Sequence, residues 1–357
     1  MKNKTLLLAP LLAAPALFAF TTASSKVAFQ PSEGSTAVKT FESVVEMTLD
    51  NMDMAMNGEP SPMMPEMDMS MTMTSTVTVT DEYVKVRENA PAQLRRTFDE
   101  LGNNVSVSME IEMMGQSQTN DQDIEAASEL EGKTVVFTWD ADESDYVKKF
   151  DPEEEDTELL EDLFEDMDLR ALLPKDDVSE GDEWTIEASN LGTILAPGGN
   201  LAMVPEEMDA EAMMGGGMGM GGSMSDFLSE LLDGEATGKF LGMREVDGQK
   251  LGAIKITLDI SSSNDMTEQV LEMLEDADMP EEAQMDFDHI DVEFTLEGEG
   301  ELLWDMEAGR AFSFELSGPT TMTYDVGIAM EMEGMGAMTI EQMMEMSGTL
   351  NLSATFE

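Results

Sequence analysis

A strict alternation of apolar and polar residues between positions 67 and 80, MDMSMTMTSTVTVT, constrains the fold more than any other feature. Methionine occupies every second position at first, and valine takes over towards the end of the segment. Side chains that repeat with a period of two share one face of a β-strand. The segment therefore predicts a strand with one apolar face.

The residues before this strand repeat the alternation with one slip of phase. In VEMTLDNMDMAMNG the apolar positions are Met47 and Leu49, followed by Met52, Met54 and Met56. A β-bulge near Asp50 and Asn51 would produce such a slip. The turn-forming segment NGEPSPMMPE lies between the two alternating runs, so we predict a long hairpin.

A second hairpin of similar design is predicted at the C-terminus. The segments TMTYDVGIAMEME and MEMSGTLNLSATFE alternate in the same way, and the glycine-rich GMGAMTIEQ joins them. Both hairpins place valine, leucine or tyrosine near the strand roots and methionine near the tips. This similarity suggests two related β-rich halves.

Further strands are predicted within each half. Segments 105–113, 133–139 and 183–188 belong to the first half. The second half contains one hairpin over 239–261, turning at Asp247 and Gly248, and another over 290–318 that turns around residues 307–309.

Helical periodicity occurs in only three segments, 156–174, 225–234 and 264–278. Each begins with a residue suited to helix capping: Asp156, Ser225 and Asn264. The sequence therefore predicts a β-rich α+β fold, made of two related halves of antiparallel sheet with a few short helices. Each half would form a curved sheet or half-barrel.

The first 25 residues are typical of a secretory signal peptide. Two lysines are followed by an apolar run from Leu6 to Phe20 and then by small residues around Ala23. The run is short for a membrane span, which needs about 20 residues, and two prolines interrupt it. We therefore expect an exported protein, periplasmic or extracellular, with no integral membrane span after signal removal. The chain has no cysteine, which leaves no disulfide and no site for lipoprotein acylation.

Composition divides the remaining chain into two predicted domains. The segment 195–224 is dense in glycine, methionine and proline, a composition that favours a linker or long loop. We predict an N-terminal β-rich domain over 26–194 and a C-terminal β-rich domain over 225–357.

The charge balance is strongly negative. Eighteen lysines and arginines against 76 aspartates and glutamates give 18 − 76 = −58. Such a surface repels phosphate backbones and anionic lipid, so nucleic acid is not an expected partner. It is also consistent with a saline habitat, in which counterions screen the repulsion.

Signals for catalysis are weak. The only histidine, His289, lies between Asp288 and Asp291, where a surface position is the simpler interpretation. The chain has no nucleophile elbow and no phosphate-binding loop. The acidic run 140–145 lacks the glycine and glutamate that an EF-hand requires, so it is interpreted as a solvated loop. The sequence predicts a protein that is not an enzyme and has no cofactor.

The methionines allow two interpretations. Thioethers bind soft metals such as Cu(I), and one flexible segment carries five of them: Met213, Met214, Met218, Met220 and Met224. Methionine also fills irregular apolar cores and adaptable binding surfaces. We favour apolar packing and keep a Cu(I) site in the periplasm as the alternative; scavenging of oxidants is a third possibility.

Several segments resemble a family of uncharacterised exported bacterial proteins with a domain of unknown function. They are EYVKV, LEGKTVVFTW, the LLP that precedes VSEGDEW, GKFLGMREVDGQKLGAIKI, and GEGELLWDMEAGRAFSFELSG. The resemblance covers most of the chain after the signal peptide and implies a β-rich envelope or secreted protein. It supplies no catalytic residue. The function expected is binding of an unknown apolar ligand or protein partner on a methionine-rich face.

Overall fold

The computed structural model describes residues 24–60, 66–113, 116–154, 157–187, 190–205, 233–246, 248–267, 271, 286–332 and 336–357. The strands in these residues are β1 Thr36–Met56, β2 Glu59–Pro60, β3 Glu66–Arg87, β4 Ala90–Met113, β5 Gln116–Ser128, β6 Thr134–Asp140, β7 Asp145–Phe150, β8 Glu183–Ile186, β9 Met203–Pro205, β10 Asp233–Val246, β11 Gln249–Asp265, β12 Asp286–Asp305, β13 Arg310–Met332 and β14 Gly336–Phe356. The described helical elements are one short helix, α1 Gly192–Leu195, and two 3₁₀ turns, Glu158–Leu160 and Arg170–Leu172.

All of these strands belong to one open antiparallel sheet. Its order is β7-β6-β4-β3-β1-β14-β13-β12-β11-β10-β8, and β2, β5 and β9 pair beside this path. Most strands follow one another as neighbours, as expected of chain segments joined by short turns. The prediction of a β-rich fold with few short helices is confirmed.

The first and last long strands join the two halves of the sheet. β1 pairs with β14 from Lys39 opposite Phe356 to Met56 opposite Ile340. The rings of Phe41 and Phe356 also meet edge to face, with their centroids 5.8 Å apart. The sheet is therefore continuous from one half to the other, and the division into domains 26–194 and 225–357 stays a prediction.

The predicted hairpins are confirmed. β1 pairs with β3 from Thr36 opposite Glu82 to Thr48 opposite Ser70, and β13 pairs with β14 over almost their whole length. The register of β1 against β14 shifts between Leu49 and Asn51, which is the predicted bulge. The hairpins β10–β11 and β12–β13 also lie where the sequence places them.

The predicted helix over 156–174 is wrong. Among its described residues, 157–174, only two 3₁₀ turns form, and Leu169 adopts a left-handed conformation with φ 56° that interrupts any helix. The carbonyls of Phe164 and Glu165, which a helix would use internally, instead accept hydrogen bonds from Arg96. Tertiary contacts therefore override the local helical pattern in this segment.

The other two predicted helices fall largely outside the described residues. β11 continues through Asp265, beyond the predicted start at Asn264; Thr267 and Leu271 are helical. Of the segment 225–234, the described residues Asp233 and Gly234 open β10 as a strand.

Residues 157–187 and 190–205, which we call the strap, cross one face of the sheet. Lys148 of β7 donates a hydrogen bond to the carbonyl of Glu161, and at the other edge β8 pairs with β10. The strap then returns, and β9 pairs with β5. Its buried apolar side chains pack against the root half of the sheet: Leu160, Leu163, Met167, Leu169, Leu172, Leu191 and Ile194. We call the face under the strap the inner face.

Glycines on the inner face mark the middle of the long strands. A Cβ on Gly348 would lie 1.8 Å from the carbonyl oxygen of Glu46, and one on Gly318 would lie 2.0 Å from that of Glu297. Glycine at such points allows close approach of backbones and sharp bending of a sheet. The core under the strap lies between these glycines and the strand roots. A second, methionine-rich cluster lies between the glycines and the strand tips.

Candidate functional site: the methionine face

The tip half of the inner face is apolar across six neighbouring strands, β4, β3, β1, β14, β13 and β12. We call this surface the methionine face. Its buried centre consists of Met47, Met71, Ile290, Val292, Met322, Val326 and Met346. Around that centre the side chains are partly exposed: Met52, Met54, Met69, Met73, Met109, Ile111, Ile328, Ile340 and Met344. The surface is therefore packed in the middle and accessible towards the tips.

Two bulges keep the face apolar as far as the tips. In β1 the apolar positions change from odd to even numbers at Asp50, and the pairing with β14 shifts at the same point. In β12 the pairing with β13 shifts between Phe287 and His289, where the apolar positions also change parity. A one-residue slip without a bulge would turn the distal side chains to the opposite face. Both bulges thus keep the apolar side chains on one surface, which is interrupted by the polar Gln342 of β14, opposite Met54 and Val326.

Tyr324 of β13 shows how apolar this surface is. It packs against the buried centre of the face, and burial alone raises the pKa of its hydroxyl to about 12. Its neighbours on the adjacent strands are Val292 of β12 and Met344 of β14. The environment of this tyrosine is therefore apolar.

The hairpin methionines are packed. Met47, Met322 and Met346 are 2–3% exposed, and they lie among valine, isoleucine and aromatic side chains. Methionine in such a setting fills space between strands. Soft-metal binding therefore remains a hypothesis only for the glycine- and methionine-rich segment.

All five methionines proposed as metal ligands, Met213, Met214, Met218, Met220 and Met224, lie outside the described residues. That hypothesis stays a prediction. Titration of the reduced protein with Cu(I) against a competing chelator tests it. Tight, stoichiometric uptake that disappears when the five methionines are replaced by leucine would support a site in this segment.

A second candidate site is a buried cluster of charges, the ion cluster, where the strap meets β1, β3 and β4. The carboxylate of Asp81 accepts hydrogen bonds from Lys39 Nζ at 2.6 Å and from Arg96 Nε and Nη2 at 2.7 Å. Lys39 Nζ also lies 2.7 Å from Asp168 of the strap, and Tyr83 donates its hydroxyl proton to the same carboxylate at 2.5 Å. These contacts tie three strands to one strap residue.

Protonation in the ion cluster follows from burial and the two cations. Burial alone would raise the pKa of Asp81, but Arg96 and Lys39 outweigh it and lower the pKa to about 2. Burial and the neighbouring carboxylates Asp168 and Asp81 raise the pKa of Tyr83 well above its usual value. Asp81 is therefore ionised, and Tyr83 is a neutral phenol.

The ion cluster is closed to solvent. The side chains of Lys39, Asp81 and Arg96 are 0% exposed, and that of Asp168 is 2% exposed. A substrate has no contact with groups this deeply buried, although perturbed pKa values often mark functional sites. The geometry instead fastens the strap across the root half of the sheet.

Glu165 of the strap lies next to this cluster, and its carboxylate is incompletely hydrogen-bonded. One oxygen bonds Arg170, while Oε1 is buried without a hydrogen-bond partner, and burial raises the pKa of the carboxyl despite Arg170. A carboxyl whose folded pKa is raised stabilises the fold most below its unfolded pKa, and it loses that contribution as pH rises through the folded value.

We therefore expect Glu165→Gln to be at least as stable as the parent at pH 7. The difference in unfolding free energy between variant and parent should shift in favour of the parent at pH 4, where the protonated Glu165 contributes most. Arg170 keeps Asp166, at 3.0 Å, as its partner in this variant. Urea unfolding of both proteins between pH 4 and 8 measures the difference. A variant that becomes progressively less stable than the parent as pH rises would contradict the assignment.

Other sequence-predicted groups lie on the surface. His289 is partly exposed, and its Nε2 lies 3.4 Å from Asp325 of β13, while its ring covers Gly327. Residues 141–145 are exposed in the turn between β6 and β7, as a solvated loop would be. Within the described residues there is no group of three or more histidine, aspartate or glutamate side chains arranged to hold a metal ion.

The outer face carries a broad depression between β3 and β10. Its lining includes Glu42, Leu241 and Glu315. Other acidic side chains there are already paired, since Lys255 lies 2.7 Å from Glu299 and Arg244 bonds Glu301. This depression therefore combines charged and apolar side chains, unlike the methionine face.

Comparison with models of known protein families gives no match, and no curated protein is similar to the chain. The resemblance to uncharacterised exported proteins therefore stays a prediction. Among the described helical segments, none has the length and apolar character needed to cross a membrane.

Proposed function

We propose that this protein is an exported, non-enzymatic binding protein that holds an apolar ligand or a protein partner on the methionine face. The observation that carries this proposal is the extension of the apolar surface through both bulges to the tips, where its side chains are partly exposed. Large apolar patches on a soluble surface commonly mark interaction sites.

The chemistry of methionine supports the same function. Its side chain is unbranched and polarisable, so it adapts to partners of different shape. Methionine recurs on β1, β3, β4, β13 and β14 of the face, whereas the core under the strap is built mainly from leucine, isoleucine, valine and phenylalanine. The protein thus separates a core of fixed shape from an adaptable surface.

Binding of the uncharged dye Nile red to the full chain tests the function. We expect dye fluorescence to rise on binding, and Met344→Lys, on the methionine face, to reduce dye affinity by about tenfold, or about 1.4 kcal/mol. The matched control is Met343→Lys, since the neighbouring side chain points to the outer face opposite Asp53 and Asp325. Both variants change the net charge equally.

Equal loss in both variants, or no saturable dye binding by the parent, would count against the proposal. Circular dichroism of each variant establishes that its sheet is intact.

Export is tested separately: we expect the mature protein isolated from its source to begin close to residue 26, as intact mass measurement would show.

A further inference from the structure

We infer that the methionine face binds a cationic amphipathic helix of another protein. This inference rests on the proposed function and adds the chemistry of the partner to it. Three properties of the molecule lead to it: the distribution of charge along the strands, the dimensions of the face, and the absence of charge among the methionine-face side chains defined above.

Basic residues are confined to one end of the strands. The sequence contains no lysine or arginine in 40–84, 97–132, 256–309 or 311–357, and these ranges supply the tip halves of the six strands that form the methionine face. Exposed acidic residues do occur there, among them Asp53, Asp68, Glu110, Glu341 and Glu345. The end of the molecule that carries the methionine face is therefore strongly negative and attracts cationic partners while repelling anionic ones.

The acidic and apolar side chains lie on opposite faces of the same strands. In β14, Glu341 and Glu345 alternate with Ile340, Met344 and Met346. A partner with an apolar stripe can bury that stripe on the methionine face, while its flanking cations reach past the strand tips and edges towards the carboxylates. An amphipathic helix with lysine and arginine beside its apolar stripe has this distribution.

The size of the face fits a helix. Six neighbouring strands span about 24 Å at ~4.8 Å per spacing. Met47 is buried, so the accessible part of β1 runs from Met52 to Met56, about 13 Å at ~3.3 Å per residue. A helix of about 16 residues that lies across the strands spans the width of the face at ~1.5 Å per residue. A single alkyl chain would cover only a narrow strip of the surface.

Labelled peptides of about 18 residues test the inference. The first peptide arranges leucine and lysine as an amphipathic helix, the second replaces each lysine by glutamate, and the third scrambles the first so that no apolar stripe remains. Fluorescence anisotropy with the full chain at about 0.15 M salt measures their affinities. We expect saturable 1:1 binding of the first peptide and at least about tenfold weaker binding of the other two.

The paired variants locate the binding surface. Met344→Lys should weaken binding of the first peptide at least about tenfold, and Met343→Lys, with the same change of charge, should leave it within about twofold. Equal binding of the scrambled peptide would reduce the effect to general charge attraction and overturn the inference. Preference for the glutamate peptide would overturn it as well.

Three further outcomes separate this inference from the proposed function. If Nile red binding depends on Met344 but not on Met343, while the first peptide does not bind, the inference fails and the proposed function stands. The same conclusion follows if dodecyltrimethylammonium binds saturably in place of the peptide, or if sedimentation shows a homodimer that Met344→Lys dissociates. If the parent protein binds neither Nile red nor the first peptide, both the inference and the proposed function fail.

Discussion

Replacing Asp81 by alanine is expected to destabilise the protein by about 3–5 kcal/mol, a large fraction of the total stability of a typical domain. The substitution leaves Lys39 and Arg96 buried at 0% exposure without the carboxylate that both of them contact. Removing one partner of a buried ion pair is costly because the remaining charge stays away from water. Urea unfolding followed by circular dichroism measures the loss.

The adjacent arginine provides a matched control. Arg95 contacts Asp151 at 2.8 Å, a distance like that between Arg96 and Asp81. The side chains of Arg95 and Asp151, however, are both more than 40% exposed. Asp151→Ala should therefore cost less than about 1 kcal/mol. Similar losses for the two alanine variants would show that burial does not control the strength of the ion cluster.

Acid should weaken the ion cluster in a defined window. The pKa of Asp81 is lowered to about 2 in the folded protein, so its stabilising contribution is complete above its ordinary value of 3.8 and declines as pH falls towards 2. The interval corresponds to about 2 kcal/mol. We expect the parent protein to lose this contribution between pH 4 and 2, and Asp81→Asn to lack that part of the pH dependence.

Alternation predicts the sheet well because it is a local property. Each long strand carries its own record of which side faces the core, and the slip at Asp50 is visible as a change of parity in the sequence. The pairing of β1 with β14 is a different matter, because it joins residues some 300 positions apart and leaves no local signal. Strands and hairpins could therefore be predicted, whereas the junction between β1 and β14 could not.

The strap shows where local pattern fails. Leu159, Leu160, Leu163, Phe164 and Met167 are spaced as on a helix, yet the segment crosses strands that supply its hydrogen bonds from outside. The ion cluster leaves a signal in the sequence. Lys39 and Asp81 occupy the same phase as the buried Ala37, Phe41, Val79 and Tyr83 around them, so a charge at an inward position was evident.

The candidate site could be predicted only in part. The sequence indicates an apolar methionine face, and the structure defines which strands form it and which side chains remain accessible. The five methionines proposed as soft-metal ligands lie outside the described residues, so that site stays a prediction. Charge segregation along the strands became apparent only once the ranges without lysine or arginine were placed together at one end of the sheet.

Gly348→Ala is expected to cost about 3 kcal/mol, at the upper end of the range for overpacking. Its Cβ would lie 1.8 Å from the carbonyl oxygen of Glu46 and 2.8 Å from the Cα of Met47, so the backbones of β14 and β1 would have to separate. These strands join the two halves of the sheet, and Met47 belongs to the buried centre of the methionine face. The substitution should therefore lower both the free energy of unfolding and the affinity for Nile red.

The control for this prediction is Gly102→Ala in β4, where no atom lies within 4 Å of an added Cβ. This variant should be as stable as the parent or more stable by about 0.5 kcal/mol, because alanine loses less conformational freedom on folding than glycine does. Urea unfolding distinguishes the two. If Gly348→Ala behaved like Gly102→Ala, the close approach of β1 and β14 would not be a requirement of the fold, and the continuity of the methionine face across that junction would need another explanation.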